Sequence, residues 1–356
     1  MRRPDRPPSR TAVGRGGRVT IQQVADAAGA SIATVSRVMR GAATVQADLA
    51  ERVLLAAAEL GYRPNPAAQG LATGVTRMIG VVVPNLANPY FDDVVKSLNA
   101  EASVDGYRML IADADEDPAE ELELGHGLQR HVDALILVSP RMPVSALREL
   151  EDEGRPVVIV NRAAIGVGLP FVAVDNHSAM LALAGHLATL GHTRVAYLAG
   201  PEESWQQQER WRAVTGAAAF GLRVTSVPAG SSIEAGHAAL DAALALGPTA
   251  IMCFNDLVAF GALSRLTELG VDVPREMSLT GFDDIAFARF VRPPLTTAAS
   301  PQRDLGRMAW RLVVQVLAGE RPAPPSLLPI PIVVRGSTAP PRSGPRHSSL
   351  LVVPRA

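Results

Sequence analysis

The sequence predicts an α/β protein in which a small all-helical helix-turn-helix head precedes a two-lobed body of doubly wound parallel sheets. Two patterns predict this fold class. Apolar residues recur with helical spacing in three short segments between residues 20 and 60, and from Met78 onward short apolar runs alternate with helical stretches. The chain of 356 residues also exceeds one average domain and can bury two or three hydrophobic cores.

The two parts differ in charge. Residues 1–77 contain eleven arginines and five acidic residues, whereas the remainder contains 23 basic and 30 acidic residues. A basic head on an acidic body favours contact with phosphate at one end only. The alternative is a basic tail that only stays solvated.

The first helix of the head is predicted to start at Thr20, which has the spacing of a capping box with Gln23. Gly29 permits the tight turn that follows, and Ser31 can cap the second helix by accepting a backbone N–H. Apolar residues at helical spacing predict one shared core. They are Ile21, Val24, Ala25 and Ala28 in the first helix, Val35, Val38 and Met39 in the second, and Leu49, Val53, Ala57 and Leu60 in the third.

The outward face of the second helix is the candidate DNA reader. In a helix-turn-helix such positions meet base edges in the major groove. Arg37 can make a bidentate contact to guanine, whereas Ile32 and Ala33 offer apolar contact, for example to a thymine methyl group. Thr34 and Ser36 complete the face. Periodicity alone also allows a three-helix packing module with a surface arginine.

A short segment after the head predicts a second contact with DNA. Asn65 before Pro66 is typical of a helix start. The helix to about Ala72 is too short to be stable alone, so we expect it to order only against a partner surface. Leu71 at its end has the character of a wedge that opens a base step in the minor groove. Taken alone, the segment also fits an ordinary linker.

These segments together resemble the lactose-repressor (LacI/GalR) family of bacterial transcription regulators, from about Arg18 to Arg335. The resemblance rests on the stretches 19–25, 33–38, 59–65 and 79–91. It implies that a DNA operator is bound through Thr20, Ser31, Ile32, Ala33, Thr34, Ser36, Arg37, Arg40, Asn65, Ala68, Gln69 and Leu71.

Three residues depart from the family's pattern. Arg40 stands where the family usually has Asn, and adds a cation for phosphate contact. Gln46 replaces a Ser or Thr-like cap of the third helix, which predicts a frayed start. Gln69 occupies a hinge position that is often Arg, so the contact made by that arginine is not carried over.

The body is predicted to contain two sets of strands with helices between them, as in parallel sheets covered on both faces. The first set lies at 78–83, 108–112, 134–138 and 156–160, and the second at 171–174, 194–198, 222–227, 249–254 and 277–282. The helices lie near 90–105, 118–130, 143–153, 177–190, 206–219, 233–246 and 256–269.

The changes in pattern divide the chain into five predicted parts. They are a disordered basic arm (1–18), a helix-turn-helix domain (19–63), a hinge helix and linker (64–77), a body for effector binding and dimerisation (78–335) and a disordered tail (337–356). Within the body, lobe 1 is expected to contain about 78–173 and 302–322, and lobe 2 about 174–301 and 326–335.

Ligands of such sheets bind beyond the carboxyl ends of the strands. Polar residues that follow predicted strands include Ser139, Asn161, Asn255 and Asp283, and each taken alone also fits a helix cap or a turn. The family's body resembles periplasmic sugar-binding proteins, with three crossing strands and a ligand cleft between two lobes. Mapped onto this sequence, this periplasmic-binding-protein-like body implies effector contacts from Tyr90, Phe91, Asn161, Arg162, Arg210, Asn255 and Asp283.

Enzyme and transport functions have less support. The sequence has no glycine-rich dinucleotide motif, no P-loop lysine motif and no metal-ligand spacing, and Lys96 is its only lysine. We therefore predict no catalysis, no cofactor and no metal. A periplasmic transport protein explains the body but leaves the head without a role. A sugar-modifying α/β enzyme is the other alternative, and turnover of a candidate sugar by the pure protein would support it.

The predicted function is transcriptional regulation, with repression as the expected sign. One head contributes few base contacts, so we expect a homodimer on a pseudo-palindromic operator. A small-molecule effector, a sugar or sugar derivative, would shift the population of lobe arrangements and so control the hinge. The single Cys253 lies in an apolar run, and no stretch is long enough to span a membrane, which indicates a cytoplasmic protein without membrane contact.

Overall fold

The computed structural model describes residues 19–39, 41, 45–63, 74–163, 165–322 and 327–342. The chain divides into two compact units between Thr76 and Arg77. The predicted basic arm, hinge helix and last fourteen residues lie outside the described residues, and so do the site residues Arg40, Asn65, Ala68, Gln69 and Leu71.

The head contains three helices, and the predicted starts of the first two are confirmed. They are α1 (Ile21–Ala28), α2 (Ile32–Met39) and α3 (Ala47–Leu60). Thr20 and Gln23 form the capping box, and Gly29 ends α1 with a φ of 61°. The Ser31 hydroxyl accepts a hydrogen bond from the Thr34 backbone N–H at 3.1 Å, as expected of an N-cap.

The core of the head is small and depends on valine and alanine. Val24, Val35 and Val53 are fully buried. The prediction for Leu60 is wrong, because this residue lies in the last turn of α3 and its side chain stays 39% exposed, whereas Ala57 one turn earlier is buried. Gln46 caps α3 without any side-chain hydrogen bond, as the departure from the family's pattern predicted.

The first lobe of the body is built on a six-stranded parallel sheet with the order β11-β5-β4-β3-β1-β2. Helices α4 and α11 cover one face, whereas α5 and α6 cover the other, so the sheet is doubly wound. The strands are β1 (Met78–Val83), β2 (Arg108–Asp113), β3 (Ala134–Val138), β4 (Val157–Val160), β5 (Phe171–Val174) and β11 (Leu327–Leu328). The helices are α4 (Pro89–Val104), α5 (Pro118–Gln129), α6 (Val144–Asp152) and α11 (Gln302–Leu317).

The second lobe is built on a four-stranded parallel sheet with the order β7-β6-β8-β9. Helices α9 and α10 pack on the face that contains the buried Cys253, and α7 and α8 pack on the other. The strands are β6 (Arg194–Ala199), β7 (Arg223–Pro228), β8 (Ala250–Cys253) and β9 (Ser278–Thr280). The helices are α7 (Asn176–Thr189), α8 (Trp205–Gly216), α9 (Ile233–Ala245) and α10 (Asp256–Glu268), and two 3-10 turns follow at Ala217–Phe220 and Ala286–Arg289.

Two strands belong to a different sheet from the one predicted. β5 pairs with β4 in parallel and so lies in the first sheet, which agrees with the predicted extent of lobe 1 (about 78–173) but not with its predicted place in the second set of strands. β11 pairs with β5, so residues 327–328 lie in lobe 1 and not in lobe 2. β11 has only two residues, so its sequence shows no periodicity. Its pairing with β5 is decided by where the chain runs after α11. The remaining short strands, β10 (Thr297–Ala298) and β12 (Ile332–Val333), pair with each other.

The predicted disordered tail starts too early. Ser337 is fully buried, and its hydroxyl donates to the Leu279 carbonyl at 2.6 Å. The carbonyl of Ala339 accepts a hydrogen bond from the Ser278 hydroxyl at 3.0 Å. Residues 337–342 therefore pack against lobe 2 beside β9. Their composition did not show this, because backbone and hydroxyl pairing need no apolar periodicity.

Candidate functional site

The candidate DNA-reading face lies on α2. Ile32 is 45% exposed, and Ala33 and Arg37 are also exposed. Val35 and Val38 of the same helix are buried in the core of the head. The Arg37 Nε donates to the Ala33 carbonyl at 3.3 Å, which directs the side chain along the helix surface. Thr34 and Ser36 are half-buried on the same helix. Their contacts with DNA stay predictions.

The candidate effector cleft lies where strands of both lobes end. Three of the residues that end these strands have left-handed backbone, namely Ser139 (φ 47°), Asn161 (φ 60°) and Asp283 (φ 112°). Such conformations cost about 1–3 kcal/mol each in residues other than glycine, and they concentrate at ligand sites. Left-handed backbone at these strand ends marks this edge of the two sheets as a candidate ligand site.

Arg210 on α8 is the most constrained of the predicted effector residues. It is 3% exposed, its Nε donates to the Asn176 side-chain oxygen at 3.0 Å, and its Nη1 donates to the Phe254 carbonyl. The guanidinium also lies 3.6 Å from the centroid of the Phe282 ring. The sequence paired Arg210 with Asp283, and their side chains approach to 3.4 Å.

Asp283 is a buried carboxyl with weak charge compensation. Burial raises its pKa to about 6, and the nearby cations Arg210 and Arg141 oppose the shift. Tyr90 of lobe 1 lies near the same cluster. Burial raises the pKa of its hydroxyl, and the negative charge of Asp283 raises it further. The Tyr90 hydroxyl lies 3.2 Å from the Ser300 hydroxyl. The fold therefore brings Tyr90, Arg210 and Asp283 together.

Asn161 and Arg162 lie at the end of β4. The Asn161 amide donates to the Ser139 hydroxyl at 2.9 Å, whereas its Oδ1 is buried and has no partner in the protein. A buried acceptor without a donor is costly, so this oxygen suits a ligand hydroxyl. Arg162 donates through its Nη1 to the carbonyls of Pro140 and Met142 and so braces that loop, whereas its Nε is buried without a partner in the protein.

The other two predicted effector residues have structural contacts. Asn255 caps α10 by accepting the Val258 backbone N–H at 2.8 Å, and its amide donates to the Ser231 carbonyl at 2.9 Å. The alternative prediction of a helix cap therefore applies to Asn255, although its amide also faces the cleft loop. Phe91 is 4% exposed and packs in the first-lobe core.

Sequence reasoning missed Arg141, which donates hydrogen bonds across the cleft to the second lobe. Its Nη1 donates to the Ser204 hydroxyl at 3.2 Å and to the Gln206 side-chain oxygen at 3.1 Å, and its Nε pairs with Glu116 at 2.9 Å. The available signal was its position two residues after Ser139, on the turn that follows β3. Only the fold shows that two of its partners, Ser204 and Gln206, belong to the other lobe.

Asp256 supports the site from behind. It is fully buried, and its two oxygens accept hydrogen bonds from the Ile285 backbone N–H at 2.9 Å and the Thr297 hydroxyl at 2.6 Å. Burial raises the pKa of this carboxyl well above its usual value. Its bonds fix the loop that contains Asp283, two residues before Ile285.

Comparison with known proteins agrees with this arrangement of head and cleft. Residues 20–65 match the lacI family of bacterial regulatory proteins, and residues 184–338 match a periplasmic binding protein-like domain. The transcriptional repressor CytR of Escherichia coli (strain K12) is 33% identical over 327 residues, which cover 90% of this chain and 96% of CytR. The chain belongs to the lacI family.

Other relatives in the lacI family extend over the same length. The regulator DegA of Bacillus subtilis (strain 168) is 32% identical over 91% of this chain and 99% of its own. A lac repressor dimer bound to operator and the anti-inducer ONPF superposes with a TM-score of 0.82 at 27% identity, covering 91% of this chain and all of that one. The regulator CelR in complex with cellobiose gives 0.67 at 29% identity, over 90% of this chain and all of CelR.

Membership of the lacI family confirms the predicted family, fold class and DNA-binding regulatory role, and excludes an enzyme of this fold. Within the described residues, no helix is long and apolar enough to cross a membrane. The individual DNA and effector contacts stay predictions.

Proposed function

We propose that this chain is a transcriptional repressor whose affinity for its operator is controlled by a small polyhydroxylated effector, a sugar or a sugar derivative, bound between the two lobes. The observation that supports it most is the group formed by Asn161, Arg210 and Asp283. A buried unpartnered acceptor, a buried cation and a carboxylate together can bind vicinal hydroxyls through charge-assisted hydrogen bonds.

Relatives support the two halves of this proposal separately. The lac repressor structure is a dimer bound to operator, and CelR was solved with cellobiose. We infer that this chain likewise acts as a cytoplasmic homodimer on a pseudo-palindromic operator. The contacts assigned to DNA are those of α2 and, beyond the described residues, of Arg40 and the segment that contains Asn65, Ala68, Gln69 and Leu71.

The DNA half is tested by the substitution Arg37→Ala. The operator is first selected from random duplexes with the wild-type chain. Loss of a bidentate guanine contact should then cost about 1–3 kcal/mol on the operator and little on random DNA. Deletion of residues 1–17 is the matched control, since removing non-specific cations should weaken both duplexes equally. An equal loss on both duplexes for Arg37→Ala would show that it contacts only phosphate.

The effector half is tested by Asp283→Asn and Arg210→Ala. A thermal-shift screen of sugars and nucleosides identifies the effector. Both variants should then bind the operator normally but ignore the effector at concentrations that act on the wild type, since each lost buried contact costs about 1–3 kcal/mol. Asp304→Asn, which removes an exposed pair with Arg307, is the control. Unchanged effector affinity together with a lower melting temperature would assign both residues a purely structural role.

A further inference from the structure

The two lobes are joined across the cleft by a connected set of hydrogen bonds between protein groups. Arg141 of lobe 1 donates to Ser204 at 3.2 Å and to Gln206 at 3.1 Å, both in lobe 2. Gln206 in turn donates through its Nε2 to the carbonyl of Asn161 in lobe 1. The bonds therefore cross the cleft in both directions.

The Glu116 carboxylate adds a second bridge. Its Oε2 accepts from the Arg141 Nε at 2.9 Å, and its Oε1 accepts from the Ser231 hydroxyl at 3.1 Å. Glu116 and Arg141 belong to lobe 1, whereas Ser231 follows β7 of lobe 2. One carboxylate is thus held by both lobes at once.

Arg141 and Gln206 of this set are buried, and Glu116 and Ser231 are half-buried, unlike the ion pairs on the surface. The side chain of Arg141 is 4% exposed and that of Glu116 is 19% exposed. By contrast, Arg265 and Asp241 pair on the surface of lobe 2 with 28% and 57% exposure. Breaking a buried pair leaves an uncompensated charge, whereas an exposed pair contributes little. Removing Arg141 would therefore leave the Glu116 charge uncompensated at the cleft, whereas removing Arg265 would leave only an exposed carboxylate.

The turn that presents Glu116 is itself constrained. Asp115 and Glu116 both have left-handed backbone, with φ of 48° and 63°. The Glu116 backbone N–H donates to the Pro84 carbonyl at 2.6 Å, and Asp117 directly after it caps α5. Contacts on both sides hold the carboxylate in place toward lobe 2, and strain of this kind persists only where surrounding structure fixes it.

We propose that Glu116, Arg141, Gln206 and Ser231 form a latch that keeps the lobes closed in the absence of effector. Every bond in the latch is made between protein groups of the two lobes. An effector then enters or leaves only when the latch opens. Its apparent affinity therefore includes the free energy of opening the latch. The latch goes beyond the proposed function and is testable without effector or DNA.

The test is hydrogen–deuterium exchange on the full-length wild type and on Arg141→Gln, Glu116→Gln and Ser231→Ala, with no ligand or DNA. Backbone amides in 113–118, 139–143 and 200–208 should exchange at least about tenfold faster in Arg141→Gln, the ratio that corresponds to about 1.4 kcal/mol. Glu116→Gln should show a smaller increase, because its amide oxygen can still accept from Arg141. Ser231→Ala should show the smallest.

The matched control is Arg265→Gln, which removes an ion pair within lobe 2 and should leave exchange in the cleft unchanged. Strands β3 and β8 in every variant report on unfolding of each lobe as a whole. Cleft segments that exchange as slowly in Arg141→Gln as in the wild type would overturn the latch. Exchange that rises equally in β3, β8 and the cleft would also overturn it, since the residues would then stabilise the fold and not closure.

Discussion

At the scale of single residues, the site is set by side chains whose partners come from distant parts of the chain. Arg210 and Asp283 were expected from the resemblance and lie together. Arg141 was not expected, because its role depends on lobe-2 partners about 60 residues further along the chain, at Ser204 and Gln206. A sequence shows that a residue follows a predicted strand, but it does not show which residue contacts that side chain across a cleft.

The buried carboxyl of Asp283 predicts a dependence of stability on pH. Its pKa is about 6 in the folded chain and near 4 when unfolded, so its protonated form favours folding. This contribution is complete below about pH 4 and is lost as the pH rises to about 6. Asp283→Asn should not show this loss. Between pH 4 and pH 7, the free energy of unfolding of the variant should therefore rise by on the order of 2–3 kcal/mol relative to that of the wild type.

Urea unfolding of both chains at the two pH values measures this difference without any ligand. Glu121, whose pKa burial raises to about 7, changes stability in the same direction but equally in both chains. Parallel pH profiles for wild type and Asp283→Asn would show that Asp283 has the same pKa in the folded and unfolded chains.

At the scale of elements, strand positions follow from sequence far better than strand partners. The nine longer strands lie within two residues of their predicted bounds, because each is a short apolar run between helical segments. β11 and the segment 337–342 were misplaced, since two-residue strands and hydroxyl contacts leave no pattern. The order of strands in a sheet therefore depends on tertiary contacts made by residues far along the chain.

The crossing of α9 and α10 depends on two glycines. A Cβ at Gly261 would overlap the carbonyl oxygen of Ile233, and a Cβ at Gly236 would overlap that of Val258. Gly261→Ala should therefore force the helices apart and destabilise the chain by about 1–3 kcal/mol. The control is Gly127→Ala in the last turn of α5, where a Cβ meets nothing within 4 Å.

Chemical denaturation of the two variants should shift in opposite directions. Gly127→Ala should stabilise by about 0.5–1 kcal/mol, because alanine is the better helix former. If Gly261→Ala matched this gain, the α9–α10 contact would be looser than the backbone distances indicate.

At the scale of the whole molecule, the proposed homodimer predicts a strict dependence on operator spacing. Two heads of one dimer read half-sites about one helical turn apart, or a multiple of it. Insertion of 5 base pairs at the operator centre turns one half-site by about half a turn and should lower affinity at least about tenfold. The same insertion outside the operator should change nothing. Unchanged affinity for the spaced operator in a gel-shift titration would indicate that one head binds alone.

The place of β11 in the first sheet has a consequence for the synthesis of the protein. β1 emerges from the ribosome early, but the edge strand that closes the same sheet lies at Leu327–Leu328, about 250 residues later. Helix α11, which covers one face of that sheet, also comes after all of lobe 2. The four-stranded sheet of lobe 2 and its covering helices are therefore synthesised completely before β11, while lobe 1 still has an exposed apolar face. During translation, chaperones that bind such faces should contact lobe 1 for longer than lobe 2.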